Sequence, residues 1–170
     1  MWLEPGRRTT STAIREFSSD WISAMTTIAY RDGILAADTA TYIHEGNLRM
    51  PDQTTKIFRL SDGSLIAGGG VKRQIVDFAK WFETKEGDKP EIADATIIRV
   101  SPNGVITIYD GKTDERDVTD CPFYAIGSGA MAALAAMYMG ARAEQAVEIA
   151  MKLDPWTGGE VVCERIETKS

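Results

Sequence analysis

The chain has 170 residues, 44% hydrophobic and 26% charged, the makeup of one ordinary globular domain with a sizeable core. Its formal net charge of -6, with no basic stripe, argues against a role built on neutralising phosphates, so neither nucleic acid nor a membrane surface is expected as a partner. Cys121 and Cys163 form no CxxC or Cys/His cluster, which argues against a zinc site or a disulfide framework and reads as two buried thiols in a reducing cytoplasm.

In chain order, residues 1–24 are rich in Ser, Thr and Arg. Their large apolar residues Trp2, Leu3, Ile14, Phe17, Trp21 and Ile22 make at best a short helical face near 13–22, and no run suits a secretory or membrane segment. Residues 1–25 therefore read as an extension, and 26–170 as the domain. Thr26–Tyr30 and Ile34–Ala37 read as strands joined at Arg31-Asp32-Gly33, where Asp-Gly supplies the positive φ of a tight hairpin. A polar stretch, 39–54, reads as a loop or irregular strand and contains His44, the chain's one histidine. "TKIFRL" (55–60) and "SLIAGGG" (64–70) predict a second hairpin about the Ser-Asp-Gly turn.

Ile75, Val76, Phe78, Ala79 and Phe82 follow helical spacing and predict a one-faced helix over 71–84, ended by Gly87 to Pro90. Strands are expected in "ATIIRVSPNGVITIYDG" (95–111) and "CPFYAIGSG" (121–129), and helices at 130–139 and 143–153. The first of these, rich in Ala and Met, reads as a tightly packed core helix. "GGEVVCERI" (158–166) closes the chain as a strand. Two hairpins, a helix, more strands, two helices and a last strand fit an α+β layered architecture better than βαβ crossovers.

Several chemistries lack their residues. His44 has no partner motif for a Ser-His-Asp or Cys-His mechanism and reads as a solvated loop histidine. No HExxH, DxDxDG, GxGxxG or GxxxxGK[ST] pattern is present. What remains is hydroxyls, a lysine and aspartates at strand ends beside glycines. A threonine at a chain's own N-terminus can use its α-amine, of pKa about 7.7–8.0, as the base. Thr26 would be that residue if everything through Met25 were absent.

With "TTIAYRDGILAAD" (26–38), Lys56 in "TTKIFRL", "IAGGG" (66–70), "AIGSG" (125–129) and "DPWTGG" (154–159), the sequence resembles proteasome β subunits and the HslV peptidase, members of the N-terminal nucleophile (Ntn) hydrolases. The pieces stand in the family's order over roughly residues 26–166. Singly, Asp38 reads as a strand-end turn residue, Lys56 as a solvated lysine, Ser128 as part of a corner and Asp154 as a helix terminator; only the ordered set points to chemistry.

The resemblance implies a four-layer αββα sandwich and a threonine endopeptidase acting on polypeptides in a homo-oligomeric ring, without metal or organic cofactor and with an ATP-dependent unfoldase as partner. It implies Thr26 as nucleophile, Lys56 as the charge that lowers the hydroxyl's pKa, Asp38 as the group that orients the lysine, and Ser128, Asp154 and Thr157 as the network about the amine. Gly70, with Gly69 next, would donate an N–H to the oxyanion. Three departures stand out: a first hairpin about four residues shorter than in the relatives, Thr157 where serine is usual, and the extension. The extension is expected either to precede a true start at Met25 or to be a cleaved propeptide. If it stays, a latent or non-catalytic ring subunit is the alternative. Amidohydrolysis of a small substrate, a third reading, is disfavoured by the Thr-Asp-Lys set.

Overall fold

The computed structural model describes residues 25–43, 48–51, 54–110 and 114–167; residues 1–24 of the extension and His44 lie outside the described residues. β1 (Thr27–Arg31) and β2 (Ile34–Asp38) form the first hairpin, with Asp32 at φ 51 and Gly33 at φ 78 making a two-residue turn of the kind whose twist matches the strands. β10 (Phe123–Gly127) pairs with the other edge of β1, and β11 (Val161–Arg165) with the other edge of β2, giving an antiparallel sheet in the order β10-β1-β2-β11. A second sheet has the order β5-β6-β7-β8-β9, built from β5 (Ile57–Arg59), β6 (Leu65–Gly70), β7 (Ala95–Val100), β8 (Ile106–Asp110) and β9 (Asp114–Asp117). β3 (Tyr42–Ile43) and β4 (Leu48–Arg49) are a small separate ribbon in the stretch expected as loop or irregular strand.

The period-2 alternation decides the layers. Ile28, Tyr30, Leu35, Ala37 and Ile126 of one sheet meet Leu65, Ala67, Ile98, Val100 and Ile108 of the other in a buried core between them. The opposite faces take helices. α1 (Lys72–Thr84) lays Ile75, Phe78 and Ala79 on Ile66, Ile97 and Tyr109, and Gly68 has no room for a Cβ because Ile75 would stand 2.9 Å from it. α2 (Ala130–Tyr138) and α3 (Ala143–Leu153) cover the first sheet, Ala133, Ala143, Ala146, Val147 and Ala150 meeting Ala29, Ala36 and Ala125. Alanine against alanine lets α3 sit close to β1 and β2. This is the expected four-layer αββα sandwich.

Several local expectations are corrected. α1 ends at Thr84 as expected, but the residue that stops it is Lys85, which takes the left-handed conformation (φ 57) and donates its N–H to Trp81 O before Gly87 is reached. α2 is packed on one face only: Ala133 and Met137 are buried, whereas Met131 and Tyr138, seven residues apart on one stripe, are each 82% exposed. Cys163 is exposed because it lies on the edge strand β11, although its register partner Ala36 faces the helices, and Cys121 is half-buried in the bend before β10. β9, "DERD", gave no apolar alternation to read; it is the charged edge of its sheet, where Arg116 pairs with Asp110. Arg31 donates to the carbonyls of Met137 (2.6 Å) and Ala141 (3.0 Å), tying β1 to the end of α2.

Phe78, wholly buried among Ile66, Ile97 and Tyr109, anchors α1. Phe78→Ala is expected to cost about 3–5 kcal/mol of unfolding free energy, measured by urea denaturation.

Candidate active site

β1 is the inner strand between β2 and β10, so the residue that precedes it receives groups from both neighbours. The register sets Thr27 opposite Gly127 and, one step beyond Ile28 and Ala37, beside Asp38. Thr26 thus lies between the end of β2 and the corner after β10, and it is 1% exposed.

Asp38 is fully buried and surrounded by donors. Its Oδ1 accepts from Thr26 Oγ1, from Thr27 N at 3.0 Å and from Lys56 Nζ at 2.7 Å; its Oδ2 accepts from Gly158 N at 3.0 Å. Lys56 stands immediately before β5, in the other sheet, and its Nζ also donates to Thr26 Oγ1 at 2.7 Å. The pair spans the gap between the sheets. Burial pulls the Lys56 pKa down, and the adjacent Asp38 carboxylate opposes that by favouring the ammonium.

The second half of the site comes from β10 and the end of α3. Ser128 Oγ lies 3.2 Å from Thr26 N and donates to Asp154 Oδ2 at 2.7 Å. Thr157 Oγ1 donates to the same oxygen at 2.5 Å and lies 2.6 Å from Thr27 Oγ1. The Gly-Ser-Gly corner is glycine for space: a Cβ on Gly127 would lie 2.1 Å from Thr26 O, and one on Gly129 2.0 Å from Thr27 Oγ1. The structure therefore brings Thr26, Asp38, Lys56, Ser128, Asp154 and Thr157 into one hydrogen-bonded cluster. Asp38, the last residue of β2, reaches Thr26 across the short first hairpin of two five-residue strands.

The two candidate glycines separate by register. Val71 N donates to Asp94 O across β6 and β7, so Gly69, two residues earlier and opposite Thr96, also turns its N–H to β7. Gly70 turns its N–H to the opposite flank, where β5 begins only at Ile57. Its φ of 110 is one that a side chain would oppose. The Gly69 amide belongs to the ladder, whereas the Gly70 amide lies outside it.

Two participants were not singled out from sequence: Gly158, whose N–H fixes the far oxygen of Asp38, and Thr27, whose N–H and hydroxyl serve both halves of the site. The Thr-Thr doublet and the Gly-Gly after Thr157 were their signals. A backbone N–H leaves no mark in side-chain chemistry.

The fold is similar to that of Thiobacillus denitrificans BPH, with 22% identity, a TM-score of 0.64, and 85% of this chain and 98% of that one covered. It is similar to the same protein in complex with epoxomicin, at 22% identity, a TM-score of 0.63, and 85% and 99% coverage. Eukaryotic HslV from Trypanosoma brucei matches at 18% identity and a TM-score of 0.65 over 82% of this chain and 97% of that one. No family model and no curated protein matches the chain. The fold is thus that of the proteasome- and HslV-like Ntn hydrolases.

Desolvation outweighs Asp38 at Lys56, so its Nζ is expected to lose its proton below the ordinary 10.5. The unfolded chain then binds the extra proton between the two values, and this group's contribution to stability rises with pH across that window. Nitrogen-detected NMR of the lysine ammonium checks it; a titration at or above 10.5 would contradict the burial argument.

Proposed function

We propose that the protein is a threonine endopeptidase whose nucleophile is Thr26, exposed as an N-terminus by removal of residues 1–25, and that it works in the cytoplasm as a homo-oligomeric ring. One observation carries this reading: a lysine, a buried carboxylate and a serine converge on Thr26, Lys56 Nζ standing 2.7 Å from its Oγ1 and Ser128 Oγ 3.2 Å from its nitrogen. The likeness to HslV and to a protein solved with epoxomicin supports it. Two unpaired cysteines suit a reducing compartment. The outward apolar stripe of Met131 and Tyr138 on α2 suits a surface covered by assembly. An ATP-dependent unfoldase that delivers polypeptide to the ring belongs to the same reading.

While Met25 is attached, the Thr26 nitrogen is an amide with no basic lone pair, and the Oγ1 proton is directed to Asp38. A free α-amine, of ordinary pKa about 7.7–8.0, offers a second acceptor. As Oγ1 bonds to the scissile carbonyl carbon, its proton passes to the amine. The Lys56 ammonium stabilises the charge on oxygen, and Asp38 holds that ammonium in place. The substrate carbonyl becomes an oxyanion received by Gly70 N–H. Its collapse breaks the C–N bond, and the Thr26 ammonium returns its proton to the departing amine. Water then attacks the ester, gives a proton to the Thr26 amine, and the carboxylic acid leaves as Oγ1 recovers the proton.

A chain whose extension persists is the latent ring subunit of the alternative reading, because acylation stops without that amine. Intact mass from the native host distinguishes the two forms. A chain made to begin at Thr26 is expected to hydrolyse short fluorogenic peptides. Thr26→Ala, or one residue left before Thr26, should lower kcat by about 10³-fold or more. Equal turnover by the blocked chain would refute the N-terminal amine as base.

A further inference from the structure

The proton directions around Asp154 follow from which groups can donate. Its carboxylate only accepts; Thr157 gives its single proton to Oδ2 at 2.5 Å, and Ser128, whose Oγ lies 2.7 Å from Oδ2 and 3.3 Å from the Thr26 carbonyl oxygen, gives its own to the nearer, charged acceptor. Ser128 is left with lone pairs for Thr26 N, 3.2 Å away, and Thr157 is left with lone pairs for Thr27 Oγ1, 2.6 Å away. Thr27 is therefore the donor in that last contact. Both arms run toward Asp154, one starting at the Thr26 nitrogen and the other at the Thr27 hydroxyl.

From this polarity we infer that Thr27 is a positioning residue for the hydrolysis proposed above, acting through Thr157 and Asp154 on Ser128. By giving its proton to Thr157, Thr27 holds the Thr157 proton on Asp154 and strengthens that bond through the chain. A carboxylate so held keeps the Ser128 proton, and Ser128 then presents a lone pair to the Thr26 nitrogen. The amine N–H is engaged by Ser128, and the amine's own lone pair is left for Oγ1. Thr27 is wholly buried, so water does not take over when its hydroxyl is removed. The space for that hydroxyl is reserved, since any side chain on Gly129 would occupy it.

The inference rests on the threonine-peptidase reading, and the test separates the two. The parent chain beginning at Thr26 is compared with Thr27→Val, Thr27→Ala and Thr27→Ser. A parent that cleaves nothing refutes the peptidase reading before any variant is considered. With an active parent, Val and Ala at 27 both remove the hydroxyl but differ in volume. Each is expected to lower kcat about tenfold, the worth of one buried hydrogen bond, with KM unchanged. Thr27→Ser is expected to restore most of the loss. Should the valine chain not fold, the alanine chain, which adds no methyl against Thr157, carries the comparison with serine. Parental kcat in the alanine chain, or a serine chain no better than it, would overturn the role. So would a loss that appears in KM.

Discussion

The fold is organised about one carboxylate, that of Asp38, buried at the end of β2 and paired with the lysine that precedes β5. Asp38 has no contact with water, and an unpaired buried charge is costly, so its oxygens must be met by donors. Three pieces of chain supply four donors: the Thr26 hydroxyl and the Thr27 amide, the Gly158 amide, and the Lys56 ammonium. Those pieces come from the start of β1, the loop after α3 and the opposite sheet. Satisfying one charge therefore fixes the approach of three layers. It also holds a lysine at hydrogen-bond distance from a threonine hydroxyl.

The packing around that carboxylate explains why the cluster is precise. The alanine-lined contact of α2 and α3 with the first sheet lets the helices approach closely, and the Gly-Ser-Gly corner can then bring Ser128 to Thr26 N. Asp154 caps α3, so the helix that buries Ala146, Val147 and Ala150 also sets the carboxylate that orders Ser128 and Thr157. On the far side, α1 rests on Gly68, inside the strand β6 that ends at Gly70. Core and site are one construction, in which small residues stand wherever backbone must come near Thr26.

Much of this was legible in the sequence because it is periodic or punctuated. Asp32-Gly33 marks the first hairpin, the alternation of "TKIFRL" marks β5, the apolar run of "SLIAGGG" marks β6, and the spacing of Ile75, Phe78 and Phe82 marks α1. The site residues were legible as an ordered set, each of them ordinary alone. What escaped has physical reasons. β9 is an all-charged edge with no apolar face to betray it. The outward stripe on α2 is as apolar as its buried face, so composition could not tell which side is covered. Which of Gly69 and Gly70 has its N–H outside the ladder needs the strand register, and Gly158 acts through a backbone N–H that every residue but proline carries.

The central claim is that Thr26 Oγ1 forms the covalent bond to the scissile carbonyl. Trapping gives the most direct measurement: a peptide bearing an electrophilic warhead is incubated with the chain that begins at Thr26, and the adduct is located by mass spectrometry of proteolytic fragments. One stoichiometric adduct is expected on Thr26, in the fragment that carries "TTIAYR". A chain that turns over substrate while its adduct maps to another residue would contradict it.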